Sequence, residues 1–380
     1  MKISDNREII NKGEFEVIVV GGGVAGISAA VSATRQGAKT LLLEKQVNLG
    51  GLATVGLISW YEPLCDGNGK QMIYGMAEEL IKLCAKYNFD NLPKRWGGSG
   101  ENPPRNQRYS TFYSPTVFSA ALDKFVLDNG VKIRFDSLAT YPVMENRVCK
   151  GVIVESVDGR EFFKAKAIVD ATGDASVMHR AGVPTVVGEN YMTYISHYYT
   201  IDMAKDLVEN GDVCAFRKWM NTGSDMFGNG HPEGMRKLTG VTCDDITDYM
   251  ISGKLSLLEK VSKINKNSFD VMSIPTMPQF RTIRRIVGKT DFNAVDGQTF
   301  ADSIGECGDF RPNGKGKHYQ IPFGALYNEN FPNMFAARRI ISAPQGDGWE
   351  VARVIPCCAL TGEAAGGSAA KCAKEMYFYD

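Results

Sequence analysis

Three glycines near the start constrain this chain more than any other feature. They stand as Gly21-x-Gly23-x-x-Gly26, directly after the apolar run Glu16 to Val20. Val24 to Gln36 then reads as a helix of small residues (Ala25, Ser28, Ala29, Ala30, Ser32, Ala33), and Gly37 ends it. Thr40 to Leu43 is a second strand, closed by Glu44. Strand, glycine loop, helix and strand in this order form one βαβ unit. In such a unit the first glycine permits the tight turn, the second admits a pyrophosphate, and the third lets the helix pack against the sheet. The pyrophosphate sits on the helix N-terminus, beside Val24 and Ala25, where free N–H groups and the dipole favour negative charge. Glu44, with Lys45 after it, lies 23 positions beyond Gly21, where a carboxylate can hold the ribose hydroxyls of an adenosine. The unit predicts dinucleotide binding. The loop by itself does not choose between NAD and FAD.

The remaining sequence narrows the class. At 380 residues the chain exceeds one small core and suggests two domains. Lys+Arg and Asp+Glu balance at 43 each, so no basic excess argues for nucleic acid. No apolar stretch reaches the ~18 residues a membrane helix needs, and the N-terminal residues lack a signal-peptide pattern. The expectation is a soluble cytoplasmic protein. The nine cysteines are scattered without a C-x-x-C, which argues against zinc, iron–sulfur clusters and a thioredoxin-type pair; no metal site is expected.

Along the chain, a helix is expected over Gln71 to Tyr87 and a long loop over Asn88 to Arg108. Ser114 and Pro115 start another helix, which Gly130 ends. Strands are expected at Val131 to Phe135, Arg147 to Ser156, Glu161 to Lys164 and Ala167 to Asp170. The middle, residues 184–291, is rich in aromatic and β-branched stretches and reads as a separate cap. The tail returns to α/β texture, with a strand at Asn333 to Ala337, a loop at Ala343 to Glu350 and a helix at Pro356 to Lys374.

Three further stretches decide the cofactor: Gly50-Gly51-Leu52-Ala53, Ala171-Thr172-Gly173-Asp174, and the C-terminal piece from Arg338 through the Pro356 helix. With the first loop they resemble, in order and spacing, the FAD-dependent oxidoreductases that have a glutathione-reductase-type FAD domain. The resemblance rests on Ile18 to Gly26, Glu44 to Leu57, Gly151 to Asp174, Gly182 to Pro184, Arg284 to Gly288, Tyr319 to Leu326 and Met334 to Gly366. It implies a doubly wound, Rossmann-like α/β FAD-binding domain, residues 1–183 and 292–380, with an inserted α+β cap over 184–291. It implies FAD as cofactor. Gly21, Gly23 and Gly26 would cradle the pyrophosphate and Glu44 the adenosine ribose. Gly50, Gly51, Leu52 and Ala53 would line the phosphate and ribitol side, Ala139 the adenine, and Gly173 and Asp174 the adenosine half. Where the family carries Gly-Arg or Gly-Asp after its last strand, this chain has Arg338-Arg339, and Arg339 keeps the positive charge. A helix starting at Pro356 and Cys357 would aim its N–H groups at the flavin's pyrimidine edge.

The catalytic groups are less constrained. His197, amid Tyr194, Tyr198 and Tyr199, is a candidate base, against a satisfied structural histidine. Arg281, Arg284 and Arg285 are candidates to hold a substrate carboxylate, Arg285 foremost, against ion pairs between domains. Trp60, Tyr61, Trp96, Tyr109, Phe112 and Tyr113 are candidate pocket walls, against plain core. Gly97 to Gly100 lacks the strand a second nucleotide loop would need. The expected activity is hydride transfer at flavin N5 with a small polar substrate. The alternatives are electron transfer to a protein partner, a structural FAD, and a plain NAD enzyme; a homo-oligomer is compatible with each.

Overall fold

The computed structural model describes residues 8–61, 63–87, 92, 94, 98, 109–211, 216, 218–225 and 227–376. The expected Asn88–Arg108 loop, Trp96 and most of Gly97 to Gly100 lie outside them. The chain opens with β1 (Ile10–Val20), α1 (Val24–Arg35) and β2 (Thr40–Leu43), then β3 (Trp60–Tyr61), α2 (Met76–Tyr87), β4 (Thr111–Phe112) and α3 (Pro115–Asp128). Next come β5 (Lys132–Arg134), β6 (Leu138–Glu145), β7 (Val148–Ser156), β8 (Gly159–Asp170), α4 (Ser176–Arg180) and β9 (Thr185–Val187). The middle holds β10 (Ile195–Thr200), α5 (Ile201–Asn210), β11 (Lys218–Asn221), α6 (Cys243–Ser262), β12 (Phe269–Ser273) and β13 (Arg284–Ile286). The last are β14 (Ser303–Gly308), β15 (His318–Pro322), β16 (Met334–Ala336), α7 (Asp347–Ala352) and α8 (Ile355–Glu375).

One seven-stranded sheet organises the molecule, in the order β5-β2-β1-β8-β7-β6. The first four strands run parallel, and β7 and β6 form an antiparallel extension. β8 carries two partners on one edge: Gly159 to Lys164 pair with β7, and Ile168 to Asp170 pair with β16. That is how the C-terminal piece joins the first βαβ unit. The end of β1, β2 and the end of β8 are buried, largely apolar runs, as a sheet covered on both faces requires. α8 lies on α1 at glycine distance: a methyl group at Gly362 or Gly366 would collide with the carbonyls of Ala25 or Ala29. This brings the start of α8 beside the start of α1.

A second core is separate from the first: Met192, Tyr194, Met220, Leu238, Tyr249, Leu257, Phe280 and Ile283. It lies between the three-stranded antiparallel sheet β11-β10-β12 and α6. The chain is thus Rossmann-like α/β with further α+β material between β9 and β13.

Four local expectations need correction. The strands expected at Glu161 to Lys164 and Ala167 to Asp170 are one strand, because β1 pairs along nearly all of β8. The helix expected from Gln71 begins at Met76. Met72 and Ile73 instead donate to the Leu64 carbonyl, and Glu363 accepts from the Met76 N–H (2.9 Å) and fixes the start. A strand, β6, occupies Leu138–Glu145; its Pro142 is tolerated because β6 is an edge strand. The expected loop Ala343 to Glu350 turns into α7 at Asp347.

Candidate active site

The glycine loop closes tightly on itself. Gly21 takes φ +102°, donates to Leu43 O (2.8 Å), and leaves 2.6 Å between any added methyl and Ala171 O. A methyl at Gly26 would strike the Gly21 carbonyl. α1 therefore starts directly under the turn. Its N-cap is Gly23, with no side chain bonded to the first amides, so they remain available to an anion. Glu44 is fixed beneath the loop. Its carboxylate accepts from Gly22 N (2.6 Å) and Gln46 N (2.8 Å). Gly50 bridges to Gly23 and donates to Gly22 O (2.8 Å), laying Gly50, Gly51, Leu52 and Ala53 along the loop.

Gly173 forms the third side, and two arginines close over it. Arg338 holds φ +76°, the left-handed backbone for which glycine is suited, so the Gly-to-Arg departure keeps the bend and adds a side chain. Its guanidinium reaches the cradle: Nη1 lies 3.2 Å from a methyl built on Gly23, 2.9 Å from one on Gly173 and 3.8 Å from one on Gly51. Arg339 donates from Nε to Gly173 O (2.8 Å), and its buried Nη1 has no partner. Both side chains are buried. Burial holds the Arg338 guanidinium below its ordinary range, and burial followed by the Arg338 charge holds Arg339 well below it. Two crowded, dehydrated cations, one with an orphan N–H and with Asp174 as their nearest shared acid, favour added anionic charge. A diphosphate at the N-terminus of α1 would supply it, within reach of both guanidiniums.

The other expected residues lie around this cradle. Asp174 accepts from Ser176 N (3.0 Å); burial would raise its carboxyl, but the Thr172 hydroxyl and the Lys45 charge hold it below the usual carboxylate range. Lys45 itself is exposed. Ala139 is buried in β6 beside α4, its carbonyl accepting from Arg180 (3.4 Å), and Ser137 ties this stretch to the Glu44 carbonyl. At the start of α8, Val354, Ile355 and Cys358 face the cavity. Pro356 and Cys357 are buried but do not line it.

A cavity of about 290 Å³ runs from the cradle to the cap. Val24, Gly50, Leu52, Ala53, Arg338 and Arg339 form one end, and Thr193, Ile195, Trp219, Gln279, Phe280 and Arg281 the other. The cap is laced to the cradle through three successive carbonyls. Val55 O accepts from Thr276 N (3.0 Å), Gly56 O from Gln279 Nε2 (2.7 Å), and Leu57 O from His197 Nε2 (3.1 Å). Leu57 has φ +59°, a backbone rarely held by a branched residue, so these bonds hold a strained segment between Ala53 and Ile58, which line the cavity.

The expected catalytic pair is not at the wall. His197 is buried, with Nε2 between Leu57 O and Ser59 Oγ (3.3 Å), and it positions that segment. Arg285 turns to Asp291 and Ser342 (both 3.4 Å) and lies away from the cavity. Arg284 donates to the Asp174 carbonyl (3.0 Å). Of the three arginines, Arg281 reaches the wall. Of the expected aromatics, Trp60 lines it, stacked on Phe112 (5.7 Å), which meets Trp219 edge-on (6.2 Å). Tyr61, Tyr109 and Tyr113 are core. Sequence reasoning missed Trp219, Gln279, Phe310 and Arg353. No local motif marks them; Arg338 was legible only as a departure from the family pattern.

A family model described as FAD dependent oxidoreductase matches residues 16–238 and 252–378. The chain belongs to that family. FAD is its cofactor, and the residues of the cradle fit it. The digeranylgeranylglycerophospholipid reductase of Methanoculleus marisnigri is 25% identical to this oxidoreductase over 203 residues, 51% of this chain and 48% of the relative. The tRNA uridine 5-carboxymethylaminomethyl modification enzyme of Bacillus velezensis is 29% identical over 172 residues, 42% of this chain and 24% of the relative. The oxidoreductase thus spans half or less of the length of these curated relatives. Among solved structures it is similar to a geranylgeranyl bacteriochlorophyll reductase-like protein from Thermoplasma acidophilum, at TM-score 0.47 and 14% identity, over 96% of this chain and 79% of that one. Among the described residues no helix is long and apolar enough to cross a membrane.

Proposed function

We propose that this oxidoreductase transfers hydride between its flavin and a small polar organic molecule held in the cavity between cradle and cap. The observation that carries the reading is the continuity of the cavity: the same space touches Val24 and Gly50 at the cradle and Arg281, Gln279 and Trp219 at the cap. Bound FAD supplies the hydride acceptor or donor. The chain supplies position and exclusion of water. Gly21 to Gly26, Gly50 to Ala53, Arg338 and Arg339 would hold the cofactor. His197 and Gln279 fix the segment Val55 to Leu57, which joins the lining residues Ala53 and Ile58. Trp60, Trp219 and Phe310 form the apolar wall, which dries the site and strengthens its polar contacts. We assign residues 1–183 and 292–380 to the FAD domain and 184–291 to the cap, supported by the two separate cores. The neutral charge balance fits a cytoplasmic protein with a small-molecule substrate.

The test is anaerobic. Purified protein should show the absorbance of oxidised flavin, and one member of a panel of hydroxy acids, amino acids, enoates and alcohols should bleach it or be reduced by the dithionite-bleached protein. A flavin that every panel member leaves unchanged, in both directions, contradicts the reading.

A further inference from the structure

Four guanidiniums line the cavity, and three have an assignment. Arg338 and Arg339 crowd the glycine end. Arg353 is ion-paired to Glu350 and lies over the Phe310 ring (5.9 Å). Arg281 stands on the cap wall, and its partners are neutral. Nη1 donates to Thr193 Oγ1 (2.8 Å) and to the Asp225 carbonyl (3.5 Å), and no carboxylate of the described residues lies within ion-pair distance. Burial, then the nearby Arg353 charge, holds its guanidinium below the ordinary range. A cation placed this way is costly until a counter-charge arrives.

We propose that the substrate is a carboxylate on a flat apolar body, its anion received by Arg281 and its body laid against Trp219 and Trp60. The inference rests on the cavity being the substrate site and adds the chemical class. A guanidinium fork matches a carboxylate in two parallel N–H···O bonds. One unassigned cation balances one negative charge; a phosphate dianion would need a second, and Arg353 is already held by Glu350. Trp60 and Trp219 line the adjoining wall, and Phe112 packs against both. The whole cavity is about 290 Å³ and its cradle end is assigned to the cofactor, so the body is small.

The test titrates holoprotein with benzoate and its neutral isostere benzamide. Two signals are read: the visible flavin band and the tryptophan fluorescence, to which Trp60 and Trp219 contribute two of four residues. Benzoate is expected to bind at least about 10-fold tighter than benzamide, and Arg281→Gln to weaken benzoate about 30-fold while benzamide is unchanged. Arg281→Lys should recover part of the loss. If Arg281→Gln does not fold, the wild-type comparison of the two isosteres still decides. Equal binding of the isosteres, benzoate binding undiminished in Arg281→Gln, or no response to either up to the solubility limit overturns the proposal. A flavin that no panel compound bleaches, in a protein that still prefers benzoate, sinks the hydride-transfer reading and leaves the anion site standing.

Discussion

The two ends of the cavity are built from different parts of the chain's chemistry. The cradle end is mostly backbone: glycines that let carbonyls and amides approach, a helix start with open N–H groups, and two arginines placed over them. The cap end is side chain: Trp219, Gln279, Phe280 and Arg281, carried on a small sheet and the segment after it. A backbone site tolerates almost no change, because an added atom has nowhere to go. A side-chain site can be altered piecemeal. The cradle is therefore the less tolerant of the two ends, and the cap the more easily changed.

One substitution at each end should separate the two kinds of site. Gly26→Val drives a side chain into the Gly21 carbonyl, which should cost about 3 kcal/mol or more and abolish flavin binding. Trp219→Val removes a larger side chain yet should leave FAD bound. Flavin content and thermal melting check both; a Gly26→Val protein that keeps its flavin contradicts the cradle.

Beneath the cradle, burial pushes the Asp170 carboxyl up to about 6, against hydrogen bonds from Thr172 and Met178 that pull it down. The unfolded value is about 3.9, so the folded state keeps the proton to higher pH. Its contribution is complete below about pH 4 and is lost as pH rises through 6, in total about 3 kcal/mol. Urea unfolding between pH 4 and 7 should show this decline in the wild type and not in Asp170→Asn. Parallel curves would contradict it.

Arg339→Met should move two quantities in opposite directions. Removing a buried unpaired cation should raise the melting temperature of apoprotein, whereas FAD binding should weaken by about 2 kcal/mol, roughly 30-fold. A change of the same sign in both would mean that Arg339 serves the fold alone. The smallest effect belongs to His197→Ala. Losing its bond to the strained Leu57 should cost about 1–2 kcal/mol of stability. The rate of flavin reduction should change only a few-fold and keep its pH profile. A general base would lose about 100-fold or more.

What could be read from sequence follows the same division. The βαβ unit was legible because glycine spacing is a backbone requirement, and β2 falls where its apolar run does. Ser114 and Pro115 start α3 for the same local reason. Tertiary contacts decided the misses. Glu363, from the last helix, sets where α2 begins. Sequence neighbours suggest a base at His197; the structure shows its imidazole held by Leu57 and Ser59, some 140 residues away, and outside the cavity lining. Arg285 and Arg281 are indistinguishable on paper; the pairing of β13 with β9 turns one away from the cavity, and the other, outside any strand, reaches it.

The central claim is that the Gly21 to Gly26 turn, Gly173, Arg338 and Arg339 hold a diphosphate. FAD carries that group and riboflavin does not. Fluorescence titration of apoprotein with both, at low and high salt, tests the claim directly. FAD is expected to bind at least about 100-fold tighter, with an advantage that shrinks as salt rises. Riboflavin binding as tightly as FAD, at either salt concentration, would contradict it.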